Sequence, residues 1–319
     1  MPATTETPLS KKPKIGRMKK VIIGLVIFIV LAILAVVGVA TYVGWNLSHP
    51  ERVEIDETPA DHGLKFEEIG FKSKADDISL KGWWIPAQRE GEEIQSTKAV
   101  VFSHGYGQSR LQAGNQILPL AKRLAEEGYH LLLFDYRASG ESEGDAVTLG
   151  QYESQDLLSA FSFAQEEKGM DDVAVIGWSM GAASALLAVA QSDTVDVVIA
   201  DSPFANLRQY LSSNLSHWSD LPDIPFTPVT MQVIPRLIGA NIDEVSPIDA
   251  ITQAENKVVY FIHGKNDDAI PYTDSEAIHA SMGAGNELWI AENDGHVETV
   301  NELADEYADK VVRFLQENF

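Results

Sequence analysis

The stretch VAVIGWSMGAASALLAV, residues 173–189, decides the fold. Branched apolar residues run from Val173 to Ile176, stop at Gly177-Trp178-Ser179-Met180-Gly181, and give way to small, helix-favouring residues from Ala182 to Leu187. A strand that turns at G-x-S-x-G into a helix is a nucleophile elbow. The tight turn holds the serine in a strained backbone conformation and lifts its hydroxyl to the top of a sheet. The flanking glycines leave room for strand and helix to approach. The same spacing also occurs by chance at an ordinary tight junction, so the reading depends on what surrounds it.

Outward from Ser179, strand-like and helix-like runs alternate. Lys65–Ser73 and Ile78–Pro86 read as an opening hairpin. Strands are then expected at Ala99–His104, Leu131–Tyr136, Val173–Trp178, Val195–Ala200, Lys257–His263 and Glu287–Glu292. Several are continuous apolar runs, as strands buried on both faces require. Helices are expected over 112–127, 151–168, 180–191, 274–282 and 298–317. This alternation predicts a mostly parallel sheet of about eight strands covered on both sides, with ligands beyond the strand C-termini. Residues 204–256 exceed what one connecting helix needs and carry Pro222, Pro225, Pro228, Pro235 and Pro247. They are expected to form a small cap over the strand ends, or failing that a surface excursion with its own apolar cluster.

A serine hydroxyl needs a general base, and the base needs an acid to fix its tautomer. Of the eight histidines, His296 lies in Asn293-Asp294-Gly295-His296-Val297, between the last strand and the last helix. That place satisfies the chain order Ser…Asp…His of this arrangement and selects His296 as the base. The acid should leave a strand end between the two, where Asp267 and Asp268 stand side by side and Asp201 follows an earlier strand. An oxyanion donor is expected from the N–H of Met180, just after the nucleophile.

From about residue 65 onward the chain resembles an α/β-hydrolase, in particular the serine aminopeptidase and acylglycerol-lipase-like branch. His263-Gly264-Lys265-Asn266-Asp267-Asp268-Ala269-Ile270-Pro271 fits that branch's H-G-x-x-D-x-x-[VI]-P. The resemblance implies Asp267 as the acid and Asp268 as a turn residue. Asp201 stays open, because some members of the fold carry the acid there. Ser103-His104-Gly105-Tyr106-Gly107 resembles the H-G-x-G loop, which places the second oxyanion donor at Tyr106. Asp135-Tyr136-Arg137-Ala138-Ser139-Gly140 resembles D-x-R-G-x-G with Ala138 and Ser139 in place of Gly and His, and reads as a structural loop. The segment Gly239–Pro247 resembles the end of the excursion in membrane-anchored or exported members. The implied chemistry is ester hydrolysis through an acyl-enzyme, with a small-molecule or lipid acyl substrate and no cofactor. Amide hydrolysis, acyl transfer and a catalytically silent tethered binding protein are the alternatives.

The N-terminus carries a different signal. Val21 to Val43 contains no charged residue. As a helix it would span roughly 35 Å, enough for a bilayer core and longer than the apolar core of a cleavable signal. Tyr42 and Trp45 stand where interfacial aromatics belong. Lys11, Lys12, Lys14, Arg17, Lys19 and Lys20 all precede the span, which predicts a cytoplasmic N-terminus and an exported body. The expected organisation is a basic tail (1–20), a transmembrane helix (21–45), a linker (46–64) and a hydrolase domain (65–319). Cleavage after Gly38-Val39-Ala40 is the rival, and a buried soluble helix the third reading. Composition narrows the rest: 319 residues with 45% hydrophobic allow one large core, and the absence of cysteine excludes disulfides and thiolate sites. A net charge of −23 sets nucleic-acid binding aside. Asn46-Leu47-Ser48 and Asn214-Leu215-Ser216 match glycosylation acceptors, relevant only in a eukaryotic secretory pathway.

Overall fold

A computed structural model describes residues 15–112 and 116–319. Lys11, Lys12 and Lys14 of the basic tail lie outside the described residues, as do positions 113–115 at the start of the helix expected over 112–127. The main sheet has eight strands: β1 (Glu67–Lys72), β2 (Ser79–Ile85), β3 (Lys98–Ser103), β4 (His130–Phe134), β5 (Asp172–Trp178), β6 (Val197–Asp201), β7 (Val258–Gly264) and β8 (Glu287–Ala291). Their order is β1-β2-β4-β3-β5-β6-β7-β8. β2 pairs antiparallel with β1 and β4, and every later pair is parallel.

Alternation along the strands feeds two cores. Val173 and Val175 of β5 join the cluster on one face with Leu157, Ala182 and Phe261. Ala174, Ile176 and Trp178 join the other with Tyr307 and Phe314. Helices cover both faces, as a parallel sheet demands. They are α2 (Ile117–Glu126) and α10 (Ala304–Asn318) on the second face, and α3 (Gln151–Ser162), α4 (Met180–Gln191) and α8 (Thr273–Ser281) on the first. The helix expected over 151–168 ends as α-helix at Ser162 and widens into a π-helical turn, Phe163–Glu167. The one expected over 298–317 breaks at Leu303 between α9 (Thr299–Glu302) and α10. Strand β6 starts two residues later than expected, because the ladder opens only where Val197 meets Ala174 and Val258.

The long excursion contains α5 (Leu207–Ser219), α6 (Asp223–Ile238) and α7 (Pro247–Gln253). Leu207, Leu211 and Leu215 of α5 and Met231 and Ile234 of α6 share an apolar cluster with Phe204 and Ile270 at the strand ends. The N-terminal helix α1 (Ile15–Ser48) is long and apolar enough to cross a membrane. Its side chains from Met18 to Ala35 are exposed, whereas Ala40, Gly44 and Ser48 are buried. Gly44 lies so close to α6 that a Cβ there would stand 3.2 Å from both Ile234 and Leu237. The stretch expected as a linker is fastened to the body. Arg52 donates to the carbonyls of Ser139, Gly140, Ser142 and Gly144, and the Ser48 carbonyl accepts from Val147 N–H at 2.9 Å.

Candidate active site

Parallel register sets the C-terminal ends of β3, β5, β6, β7 and β8 along one rim. Ser103 stands beside Gly177, Asp201 beside Ile262, and His263 beside Ile290. Ser179 follows β5 with φ 54° and ψ −120°, a conformation that disfavours side chains other than glycine's and persists only where the surroundings enforce it. Its N–H donates to the Asp201 carbonyl at 2.8 Å. Two glycines make the turn possible. A Cβ at Gly177 would come within 2.6 Å of the Gly181 carbonyl oxygen, and one at Gly181 would collide with the Ser103 carbonyl.

Beside Ser179 the rim assembles a three-member hydrogen-bonded chain. His296 Nε2 lies 2.9 Å from Ser179 Oγ, and His296 Nδ1 lies 2.7 Å from Asp267 Oδ2. Because Nδ1 faces a carboxylate, it carries the proton, which leaves the Nε2 lone pair toward the hydroxyl. The Asp267 side chain is fully buried. Its Oδ1 accepts the N–H groups of Ala269 (2.9 Å) and Ile270 (2.7 Å). Burial pushes its carboxyl up, but hydrogen bonds from His263, His296 and Ile270 N–H outweigh that and hold it well below the usual carboxylate range. Asp268 is exposed. Asp201 is buried, accepts from Tyr307 Oη at 3.0 Å and Ser202 Oγ at 2.9 Å, and has no hydrogen bond to His296. Burial lifts its carboxyl to about 6.

Sequence reasoning did not assign His263 a role. Its Nε2 meets two acceptors, Asp267 Oδ2 at 3.1 Å and the Ile270 carbonyl at 3.0 Å, so Nε2 bears the proton. Its Nδ1 then accepts from Ser275 Oγ at 2.7 Å. The H-G-x-x-D spacing, which stands this histidine four residues before the acid, was the available signal. Gln112 was also missed: its Oε1 accepts from Gly105 N–H at 2.6 Å and so holds the loop carrying Tyr106.

Ser179, His296, Tyr106 and Met180 open into a cavity of about 330 Å³. Its walls are mainly apolar: Phe204, Leu207, Leu211 and Leu215 from the cap side, Ile234 from α6, and Leu47 from the end of α1. Met180 is the first residue of α4, where backbone N–H groups lack intrahelical partners. Tyr106 donates its hydroxyl to the Leu47 carbonyl at 2.7 Å, and burial pushes that phenol up to about 12, so it stays a donor. Arg137 lies away from the cavity. It pairs with Asp156 at 2.7 Å and Asp76 at 2.9 Å, in keeping with a structural loop.

Comparison with known proteins agrees with this fold. Residues 94–248 match the family model described as serine aminopeptidase, S33. The Bacillus subtilis protein YqkD is 34% identical over 193 residues, 59% of this chain and 62% of its own length. A lysophosphatidylserine lipase of Xenopus tropicalis is 26% identical over 235 residues, 67% of this chain and 58% of the lipase. The chain thus spans less than two thirds of either relative. Among solved structures, a Pyrococcus furiosus esterase superposes with a TM-score of 0.69 at 25% identity, covering 85% of this chain and 98% of the esterase. Sheet order, elbow and these likenesses converge on the α/β-hydrolase fold.

Proposed function

We propose that this protein is a serine hydrolase of carboxylic esters, with Ser179 as nucleophile, His296 as general base and Asp267 as the acid that orients it. The observation that carries the reading is the 2.7 Å and 2.9 Å chain from Asp267 through His296 to Ser179, opening into an apolar cavity. His296 Nε2 takes the Ser179 proton as Oγ attacks the ester carbonyl. The N–H groups of Met180 and Tyr106 stabilise the oxyanion. The alcohol leaves with the proton from His296, and a water activated by the same nitrogen then releases the acid from the acyl-enzyme.

Esters are favoured over the amides of an aminopeptidase by the cavity walls. Among the described residues that line it, no carboxylate stands ready to pair with a free amine. Helix α1 is read as an uncleaved anchor with the basic tail in the cytoplasm and the hydrolase domain outside, on the charge asymmetry around the span. The test is labelling of the full chain by a fluorophosphonate, beside Ser179→Ala, with a chain-length series of p-nitrophenyl esters. The label should land on Ser179, and ester turnover should fall by at least about 10³-fold in the variant. A folded wild type that takes no label and cleaves no ester would return the chain to a tethered binding protein.

A further inference from the structure

The end of the apolar helix is built into the cavity wall. Leu47 lines the cavity, its carbonyl receives the Tyr106 hydroxyl, and the next carbonyl, of Ser48, receives Val147 N–H. A flexible tether would make none of these bonds. The helix is further locked at Gly44, whose missing side chain lets Ile234 and Leu237 of α6 close on the backbone. Ile234 is itself a cavity residue. The same two helices that wall the cavity therefore continue together down toward the membrane-spanning part of α1.

Below Gly44 they part to form an apolar groove of about 320 Å³. Phe28, Ile33 and Val37 of α1 and Pro225 and Val229 of α6 line it, and among the described residues no polar one does. From Val37 to Leu47 is ~15 Å along a helix, within reach of an extended acyl chain. Around the groove, α1 presents apolar side chains on every side, which a single helix can sustain only in lipid. Ile224, 81% exposed, precedes the groove residue Pro225 near the start of α6 and adds to this apolar surface. We propose that the groove between α1 and α6 binds the acyl chain of a lipid ester standing in the adjacent leaflet and guides it into the cavity that Leu47 helps to close. The substrate class is then a bilayer-resident ester entering by one acyl chain, since the cavity is at the small end of the roughly 300–1,000 Å³ usual for ligand pockets. This rests on the ester-hydrolase reading of Ser179.

The experiment uses the full chain in phosphatidylcholine vesicles. It compares kcat/KM for 1-palmitoylglycerol carried in the vesicles with kcat/KM for soluble p-nitrophenyl butyrate. Val36→Trp and Val229→Trp add bulk at half-buried groove positions. The long-chain to short-chain ratio should fall at least tenfold in each. If either variant unfolds, Val229→Gln, which puts a polar amide into the groove, should move the ratio the same way. A ratio within twofold of wild type in folded, fluorophosphonate-reactive variants overturns the groove. A wild type that takes no fluorophosphonate and cleaves neither ester overturns the hydrolase reading instead, and the two failures are told apart in the wild-type lane.

Discussion

The ends of β6 and β7 make a close comparison. They are neighbouring strands, each finishing in a buried aspartate near Ser179, and their electrostatics are opposite. Asp267, after β7, is surrounded by donors: two backbone N–H groups and two imidazoles. Asp201, at the end of β6, has among the described residues the hydroxyls of Ser202 and Tyr307 alone. Both lose solvation. Only the first has enough hydrogen-bonded compensation to hold its carboxyl below the usual range, and the second is driven up to about 6. A strand-end carboxylate is therefore not an acid of the relay by position. The donors that hold its charge, and the imidazole it faces, decide.

The largest effect expected from this contrast is on turnover. Asp267→Asn removes the charge that holds His296 in its tautomer, and kcat should drop about 10³–10⁴-fold. Asp201→Asn should leave kcat within about tenfold, because Asp201 makes no hydrogen bond to His296. Steady-state kinetics on p-nitrophenyl butyrate separates the two. Equal losses would erase the distinction between the strand ends.

Stability should report the other half of the contrast. The folded protein holds the Asp201 proton up to about 6, while the unfolded chain releases it near 3.8. Below the lower value both states are protonated and the group is neutral in its effect. As pH rises toward 6 only the unfolded chain ionises, so wild-type stability falls, and above 6 the loss is complete and constant. The span from 3.8 to about 6 corresponds to about 3 kcal/mol. Asp201→Asn has no such titration. Its stability relative to wild type should improve by about that amount between pH 4 and pH 7, measured by unfolding in detergent micelles. A pH-independent difference would mean that Asp201 is ionised in the folded state.

What could be read in the sequence divides along similar lines. The elbow was legible because chemistry there fixes residue type, spacing and context together: Gly177, Ser179 and Gly181 between an apolar run and a helix. His296 was legible because few histidines occupy a strand-end loop late in the chain. Asp267 was not separable from Asp268 or Asp201 by the residues alone, since what distinguishes them is three-dimensional: which one points inward among N–H groups. The packing of α1 was less visible still. An all-apolar helix has no hydrophobic face to mark its partner. The trace that remains is small residues four apart, Ala40, Gly44 and Ser48, a spacing that lets helices approach closely. The boundary of β6 was missed because Val195 and Asp196 look like strand but precede the first ladder partner.

The sharpest refinement of the comparison concerns His263, the donor that β7 has and β6 lacks. It is fully buried and does not itself line the cavity, so it acts through Asp267, as a positioning residue. His263→Phe keeps an aromatic ring and removes the 3.1 Å hydrogen bond to Asp267 Oδ2. A hydrogen bond to a charged group contributes about 1.5–3 kcal/mol, so kcat should fall roughly ten- to hundredfold while KM moves little. A generic packing defect could produce that loss too, but it would leave the Asp267 carboxyl titration in place. Losing one of the groups that hold the Asp267 carboxyl low should let its pKa rise in His263→Phe, which a carbon-13 NMR titration of that carboxyl reads directly. His263→Gln, which restores an N–H donor, should return part of both changes. If kcat falls with an unmoved carboxyl titration and Gln rescues nothing, His263 only fills space, and the low carboxyl of Asp267 is the work of His296 and the backbone N–H groups alone.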